Sequence, residues 1–178
     1  MANPKKEFAM APKKDQNARK SKVIEVLNKA RSMELFAIAQ YMQQHYRLDD
    51  DNYTVLAGNM RKIAIEEMKH AEQFAERIKD LGGIPTQDHA SKAILDQDVY
   101  QIYPYDSDVE IDTLDKYNEF AVTCRENGDI VSMRIFERII EDEQRHQIYF
   151  DDTATHIKTM DKSFLAKVAG TEVGEDGD

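Results

Sequence analysis

Four glutamates and two histidines occupy positions where helical periodicity calls for core residues. Along residues 56–81 apolar side chains recur at three- and four-residue spacing, as Leu56, Met60, Ile63, Phe74 and Leu81, and the same stripe holds Glu67 and His70. Three further stripes repeat the pattern. One runs Ile24, Leu27, Arg31, Glu34, Ile38, Tyr41, His45; another Glu110, Leu114, Tyr117, Ala121, Cys124; the last Ile135, Ile139, Glu143, His146, Phe150. In Glu67-x-x-His70 and Glu143-x-x-His146 one helical turn brings both side chains of each pair to the same face. A single carboxylate or imidazole on such a stripe ordinarily reaches water at a helix end or finds one partner, and His45 is read that way.

The spacing joins the six residues. Glu34 and Glu67 are 33 residues apart, as are Glu110 and Glu143, while 76 residues separate Glu34 from Glu110, Glu67 from Glu143 and His70 from His146. The chain therefore reads as one helical hairpin repeated. The midpoint of each glutamate pair falls in a turn-rich stretch, "DDDN" or "ENGD", so the two glutamates of a hairpin lie at one height, each roughly 24 Å from its turn at ~1.5 Å per residue. Four carboxylates and two imidazoles then meet at mid-bundle about a pseudo-two-fold axis. Four carboxylates in a core repel one another and cost several kcal/mol each to desolvate, so protons or multivalent cations must neutralise them. Oxygen and nitrogen donors without thiolate suit iron or manganese better than structural zinc or calcium. Four carboxylates balance two divalent ions, with Glu67 and Glu143 placed to bridge, Glu34 and His70 capping one ion, and Glu110 and His146 the other. Tyr41 and Tyr117, also 76 apart, are candidates either to hydrogen-bond these ligands or simply to pack.

The elements that must position these residues follow from the punctuation. The chain has 178 residues, 41% hydrophobic, with only seven glycines and four prolines. These leave four long amphipathic segments, at about 17–47, 52–81, 107–127 and 129–159, and a short one near 161–167. Short joints at 48–52 and 127–129 predict two antiparallel hairpins, and the long joint 82–106 is expected to cross the bundle and start the second hairpin in the same direction as the first. The predicted fold is all-α, a four-helix bundle of two hairpins joined by a long crossover, with a short C-terminal helix. Residues 1–17 are expected to form a flexible arm, 18–168 the domain, and 169–178 a flexible acidic tail. A net charge of -10 argues against nucleic acid as a partner and favours cations. The lone cysteine, Cys124, fits a reducing compartment, and no stretch approaches the ~20 apolar residues of a membrane span. A cytoplasmic protein with no membrane partner is the expectation.

At these residues the chain resembles the bacterioferritins of the ferritin-like superfamily, over about residues 18–168, most specifically in "MELFAIAQY", "IEEMKHAEQFAERIKDLGGIP" and "EDEQRH". The resemblance implies subunit dimers assembled into a hollow shell of about 24 subunits. It implies a ferroxidase that oxidises Fe(II) with dioxygen or peroxide at a di-iron centre within each subunit and stores ferric mineral inside. Glu34, Glu67, His70, Glu110, Glu143 and His146 match the family's six ligands. The family also binds haem between paired subunits through one methionine from each, here Met68, and an electron-donor protein would serve iron release.

Helix geometry can be applied to Met68 on its own. It lies about 100° from Glu67 and about 200° from His70 around the helix, and so points away from the centre. Ile65, Ala64, Ala71 and Ala75 are expected beside it, with a second apolar row of Leu35, Ala39, Met42 and Tyr46 on the preceding helix. Such a face suits a homodimer interface, where a thioether either ligates haem iron or merely fills space; the resemblance favours the ligand. The alternative is a di-iron peroxidase or redox protein of the rubrerythrin kind without mineral storage. One cysteine excludes the rubredoxin domain that rubrerythrins usually append.

Overall fold

The computed structural model describes residues 13–170, with side chains from residue 15 onward. The expected N-terminal arm lies largely outside the described residues, as does the acidic tail beyond 170. Five helices follow one another: α1 (Lys13–Asp50), α2 (Thr54–Asp80), α3 (Val99–Glu126), α4 (Ile130–Met160) and α5 (Lys162–Val168). Among the described residues there is no strand, and no helix is long and apolar enough to cross a membrane. α1 packs along α2 and α3 along α4, as the two hairpins require.

The ends of the helices have local causes. α2 stops at "LGG", where Gly82 takes φ +73° and the Gly83 amide returns to the Ile78 carbonyl at 2.8 Å. A Cβ at Gly83 would stand 2.9 Å from the Cγ2 atoms of both Ile24 and Ile78, so the close approach of α1 and α2 there also requires glycine. The second hairpin turns at Gly128, φ +78°, and Asp129 caps α4 by accepting from the Ser132 amide. Arg77 of α2 donates twice to Asp129, both at 2.8 Å, which joins the two hairpins at that end.

Two expectations are corrected. α3 begins at Val99, not near 107, because Asp98 and Gln101 form a capping box: the Asp98 carboxylate accepts from the Tyr100 and Gln101 amides while Gln101 Oε1 accepts from the Asp98 amide. Pro104 sits inside the helix and gives up only the bond an amide would make to the Tyr100 carbonyl. The second correction concerns direction. The crossover runs beside α1 from one end to the other: Thr86 bonds to Asn28, Ala90 to Ser32, Ile94 to Gln40, and Asp96 pairs with Arg47. It therefore delivers α3 to the far end of α1. Tyr41 reaches Glu110 and Tyr117 reaches Glu34, so α3 is antiparallel to α1, and the second hairpin starts opposite to the first.

The apolar core is split. One cluster gathers Tyr41, Leu48, Met60, Ile102 and Phe150; the other gathers Leu27, Phe74, Ile78, Tyr117 and Phe136. On each of the four long helices the residues of one cluster precede the glutamate and those of the other follow it. The candidate centre is a polar layer between two dry ones.

Candidate metal centre

The structure brings all six residues together, each at most 3% exposed. They form two groups whose donor atoms lie within 4.8 Å of one another: Glu34, Glu67, His70 and Glu143, and Glu67, Glu110, Glu143 and His146. Glu67 and Glu143 belong to both. The antiparallel register of α2 and α4 produces this sharing, since each Glu-x-x-His pair faces the other across the pseudo-two-fold axis. His70 Nδ1 lies 3.0 Å from Glu67 Oε2, 3.0 Å from Glu143 Oε1 and 3.9 Å from Glu34. His146 Nδ1 lies 2.9 Å from Glu67 Oε1 and 3.2 Å from Glu143 Oε2.

Each terminal glutamate is held by a tyrosine from another helix. Tyr41 Oη donates to Glu110 at 2.5 Å, and Tyr117 Oη donates to Glu34 at 2.5 Å. The tyrosines therefore do both things the sequence left open, bonding the carboxylates while lying fully buried in the aromatic core.

The electrostatics show how crowded the layer is. Burial, together with the neighbouring carboxylates Glu143 and Glu67, pushes Glu34 and Glu110 well above the usual carboxylate range. Burial also pushes Glu67 upward, but hydrogen bonds from both imidazoles outweigh it and bring that carboxyl down to about 2. Burial opposes charge on the histidines, yet hydrogen bonds to Glu143 and Glu67 raise His70 to about 11 and His146 to about 12. The two imidazolium protons thus balance part of the negative charge. They do so incompletely: the single Nδ1 proton of each imidazole is shared between two carboxylates, so Glu67 Oε1 and Glu143 Oε1, 2.9 and 3.0 Å from an imidazole nitrogen, are left without a well-directed bond of their own. These two buried oxygens and the imidazole Nδ1 atoms beside them belong to a donor set that a pair of divalent cations would satisfy.

Two participants escaped the sequence reading. Asp142 Oδ2 lies 3.2 Å from His70 Nε2, and Glu66 Oε2 lies 2.7 Å from His146 Nε2. Each carboxylate holds the far ring nitrogen of the opposite hairpin's histidine, which directs Nδ1 inward. The signal was present: Glu66 and Asp142 immediately precede Glu67 and Glu143 and are also 76 residues apart. Arg145 pairs with Asp142 and approaches Glu66 at 3.9 Å.

Openings reach the layer from two sides. A cavity of about 50 Å³ between α1 and α3 is lined by Glu34, Ala37, Glu110 and Thr113, and a pocket of about 250 Å³ between α2 and α4 is lined by Glu66, Arg145, His146 and Tyr149.

Residues 24–160 match the family model of the ferritin-like domain. A solved bacterioferritin from Desulfovibrio desulfuricans, described by its diiron site in different catalytic states, superposes with a TM-score of 0.87 at 53% identity, covering 92% of this chain and 98% of that one. This chain belongs to the bacterioferritin family. Among solved bacterioferritins, BfrA of Mycobacterium tuberculosis superposes with a TM-score of 0.79 at 28% identity, over 83% of this chain and 93% of that one. The bacterioferritin of Desulfovibrio desulfuricans is 59% identical over 101 residues, covering 57% of this chain and 56% of that protein. That of Brucella melitensis is 38% identical over 98 residues, covering 55% and 61%. The chain thus spans little more than half the length of the curated bacterioferritins it matches.

Met68 stands on the far side of α2 from the centre and is 54% exposed, beside Ile65 at 38%. Tyr46 of α1 is exposed as well. Ala64 and Ala71 are buried inside the bundle, so the outward row is narrower than expected and consists of Met68 with Ile65 and Ala75.

Proposed function

We propose that the protein is a ferroxidase and iron store, oxidising Fe(II) to Fe(III) with dioxygen or peroxide and holding ferric mineral within a shell of its own copies. The observation that carries this reading is that Glu67 and Glu143 are shared between two four-residue groups at one height in the core. A single ion would need one group, whereas two sharing carboxylates suit a pair of ions. Glu34 and His70 would hold one Fe(II), Glu110 and His146 the other, and Glu67 and Glu143 would join them. Iron so held supplies one-electron transfer to the oxidant; the residues fix its position and charge. Tyr41 and Tyr117 keep the terminal carboxylates aimed inward, and Glu66 and Asp142 keep Nδ1 of each imidazole available. Met68, on the outward face, is proposed to ligate haem across a subunit dimer, and the shell is proposed to sit in the cytoplasm.

Glu67→Ala and His146→Ala separate this reading from a structural one. Each should leave assembly nearly intact while slowing rapid Fe(II) oxidation by at least tenfold, measured by stopped flow at two Fe(II) per subunit. A variant that keeps the wild-type initial rate would sink the assignment.

A further inference from the structure

Asp106 is a buried carboxyl group with no cation beside it. It lies on α3, one helical turn before Glu110, and is 0% exposed. Its Oδ1 accepts from Gln44 Nε2 at 2.8 Å, while its Oδ2 has no partner.

The orientation of the Gln44 amide can be fixed outward from the backbone. The Ile94 amide can only donate, so the Gln40 atom 2.7 Å from it is the carbonyl Oε1. Gln40 Nε2 then faces Gln97 at 2.9 Å, which makes that Gln97 atom an oxygen. The same oxygen lies 2.9 Å from Gln44, so Gln44 turns Nε2 toward both Gln97 and Asp106. What remains is Gln44 Oε1, buried and without a donor. Two groups already joined by one hydrogen bond thus each keep an oxygen that lacks a proton to share. The titratable groups interacting with Asp106 are the phenols of Tyr41 from α1, Tyr103 and Tyr105 from α3, and Tyr149 from α4. Among the described residues no lysine, arginine or histidine pairs with it. An uncompensated carboxylate there would be strongly destabilising.

We propose that Asp106 is a neutral carboxylic acid whose Oδ2 proton is donated to Gln44 Oε1, so that acid and amide close a hydrogen-bonded ring. One proton satisfies both unpartnered oxygens and removes the buried charge. Burial likewise holds this carboxyl well above the usual aspartate range. The ring completes a hydrogen-bonded chain, Ile94–Gln40–Gln97–Gln44–Asp106, that ties the crossover to α1 and α3. It also keeps a further buried negative charge away from Glu110, and the assignment stands whether or not the centre binds iron.

The folded chain then binds a proton that the unfolded chain releases above about pH 4. Through this group alone, folding weakens by as much as tenfold per pH unit from about pH 4 upward, until the folded acid itself ionises. Asp106→Asn preserves the ring, because its amide nitrogen can donate to Gln44 Oε1, and it is free of that dependence. The test is the infrared spectrum of the metal-free full-length protein at neutral pH, with aspartate carboxyl groups carbon-13 labelled to separate them from Glu34 and Glu110. An unionised acid band that shifts on aspartate labelling and is lost in Asp106→Asn is expected. The thermal midpoint of Asp106→Asn should match wild type near pH 4 and exceed it increasingly toward pH 8. Finding aspartate only as carboxylate, a measurement that needs no variant, overturns the proposal. So does an Asp106→Asn protein that melts below wild type at neutral pH, since that result means an ionised Asp106 balanced by a bound cation or water.

Discussion

At the scale of single residues the centre is a problem of charge, in which protons and a bound cation would compete for the same atoms. His70 and His146 hold protons on Nδ1 up to about 11 and 12, and those nitrogens must lose them to bind a cation. Anaerobic loading of two Co(II) per subunit in weakly buffered solution should therefore acidify the medium, with one proton coming from each imidazole and more from Glu34 and Glu110, whose carboxyls burial pushes up. An indicator dye measures it, and loading without proton release would contradict the raised imidazole values. The sign for stability follows. Because both folded values lie above the ordinary 6.5, the imidazolium contribution to the metal-free protein is complete below about pH 6.5 and fades as pH rises toward 11 and 12. The six candidate ligands were legible because a glutamate or histidine on an apolar stripe is out of character, and six at matched spacing leave no bland explanation. Glu66 and Asp142 share the 76-residue spacing but do not stand out, because both sit at partly exposed positions where a carboxylate is ordinary. Asp106 and Gln44 escaped as well: they interrupt no recognised stripe, and their partners come from the crossover, whose path periodicity does not give.

At the scale of elements the crossover determines how the repeat is deployed. The 76-residue spacing says that α1 corresponds to α3 and α2 to α4, but a translation and a rotation of the second hairpin give the same spacing. The contacts of residues 84–96 along α1 distinguish them, and they depend on side chains such as Asn28, Arg31 and Gln40 whose spacing says nothing about the path of the crossover. The early start of α3 was missed for a different reason. Pro104, one of the four prolines that punctuate the sequence, favours a boundary, whereas the capping box at Asp98 offsets the loss of one intrahelical bond. This cap carries a quantitative expectation. Asp98→Ala removes the acceptor for two amides and should destabilise the subunit by about 1 kcal/mol. Amide exchange should accelerate over Val99–Tyr103 and not at the buried centre of α3, and unchanged protection of that first turn would show that packing, not the cap, sets where α3 begins.

At the scale of the whole molecule, each long helix turns its core residues inward, and the outward side of α1 and α2 carries exposed apolar side chains. Met68, Ile65 and Tyr46 are all exposed in the single chain, and Tyr46 and Leu95 line a hollow of about 380 Å³ where the crossover meets α1. A lone subunit would leave this surface wet, and a second copy related by a two-fold axis would cover it with the same residues. On that axis two Met68 side chains would face each other, and a thioether from each side is the arrangement a haem iron would take. Because Glu67 and Met68 are neighbours that point about 100° apart, the helix carries the proposed haem ligand on one face and the candidate metal centre on the other. Met68→Leu tests that separation. The volumes are close and leucine is equally apolar, so the substitution should cost less than about 1.5 kcal/mol and leave dimer and shell intact by size measurement. Haem absorbance should disappear from the purified variant, while the Fe(II) oxidation rate should stay at the wild-type level, since no atom of the centre is touched. Reductive release of stored iron should slow, because electrons delivered from outside would lose their station at the shell wall. A variant that keeps a full haem complement with an unchanged low-spin spectrum would return Met68 to the role of an apolar residue filling an interface, and the loss of Fe(II) oxidation together with haem would mean that the two faces of α2 are not independent.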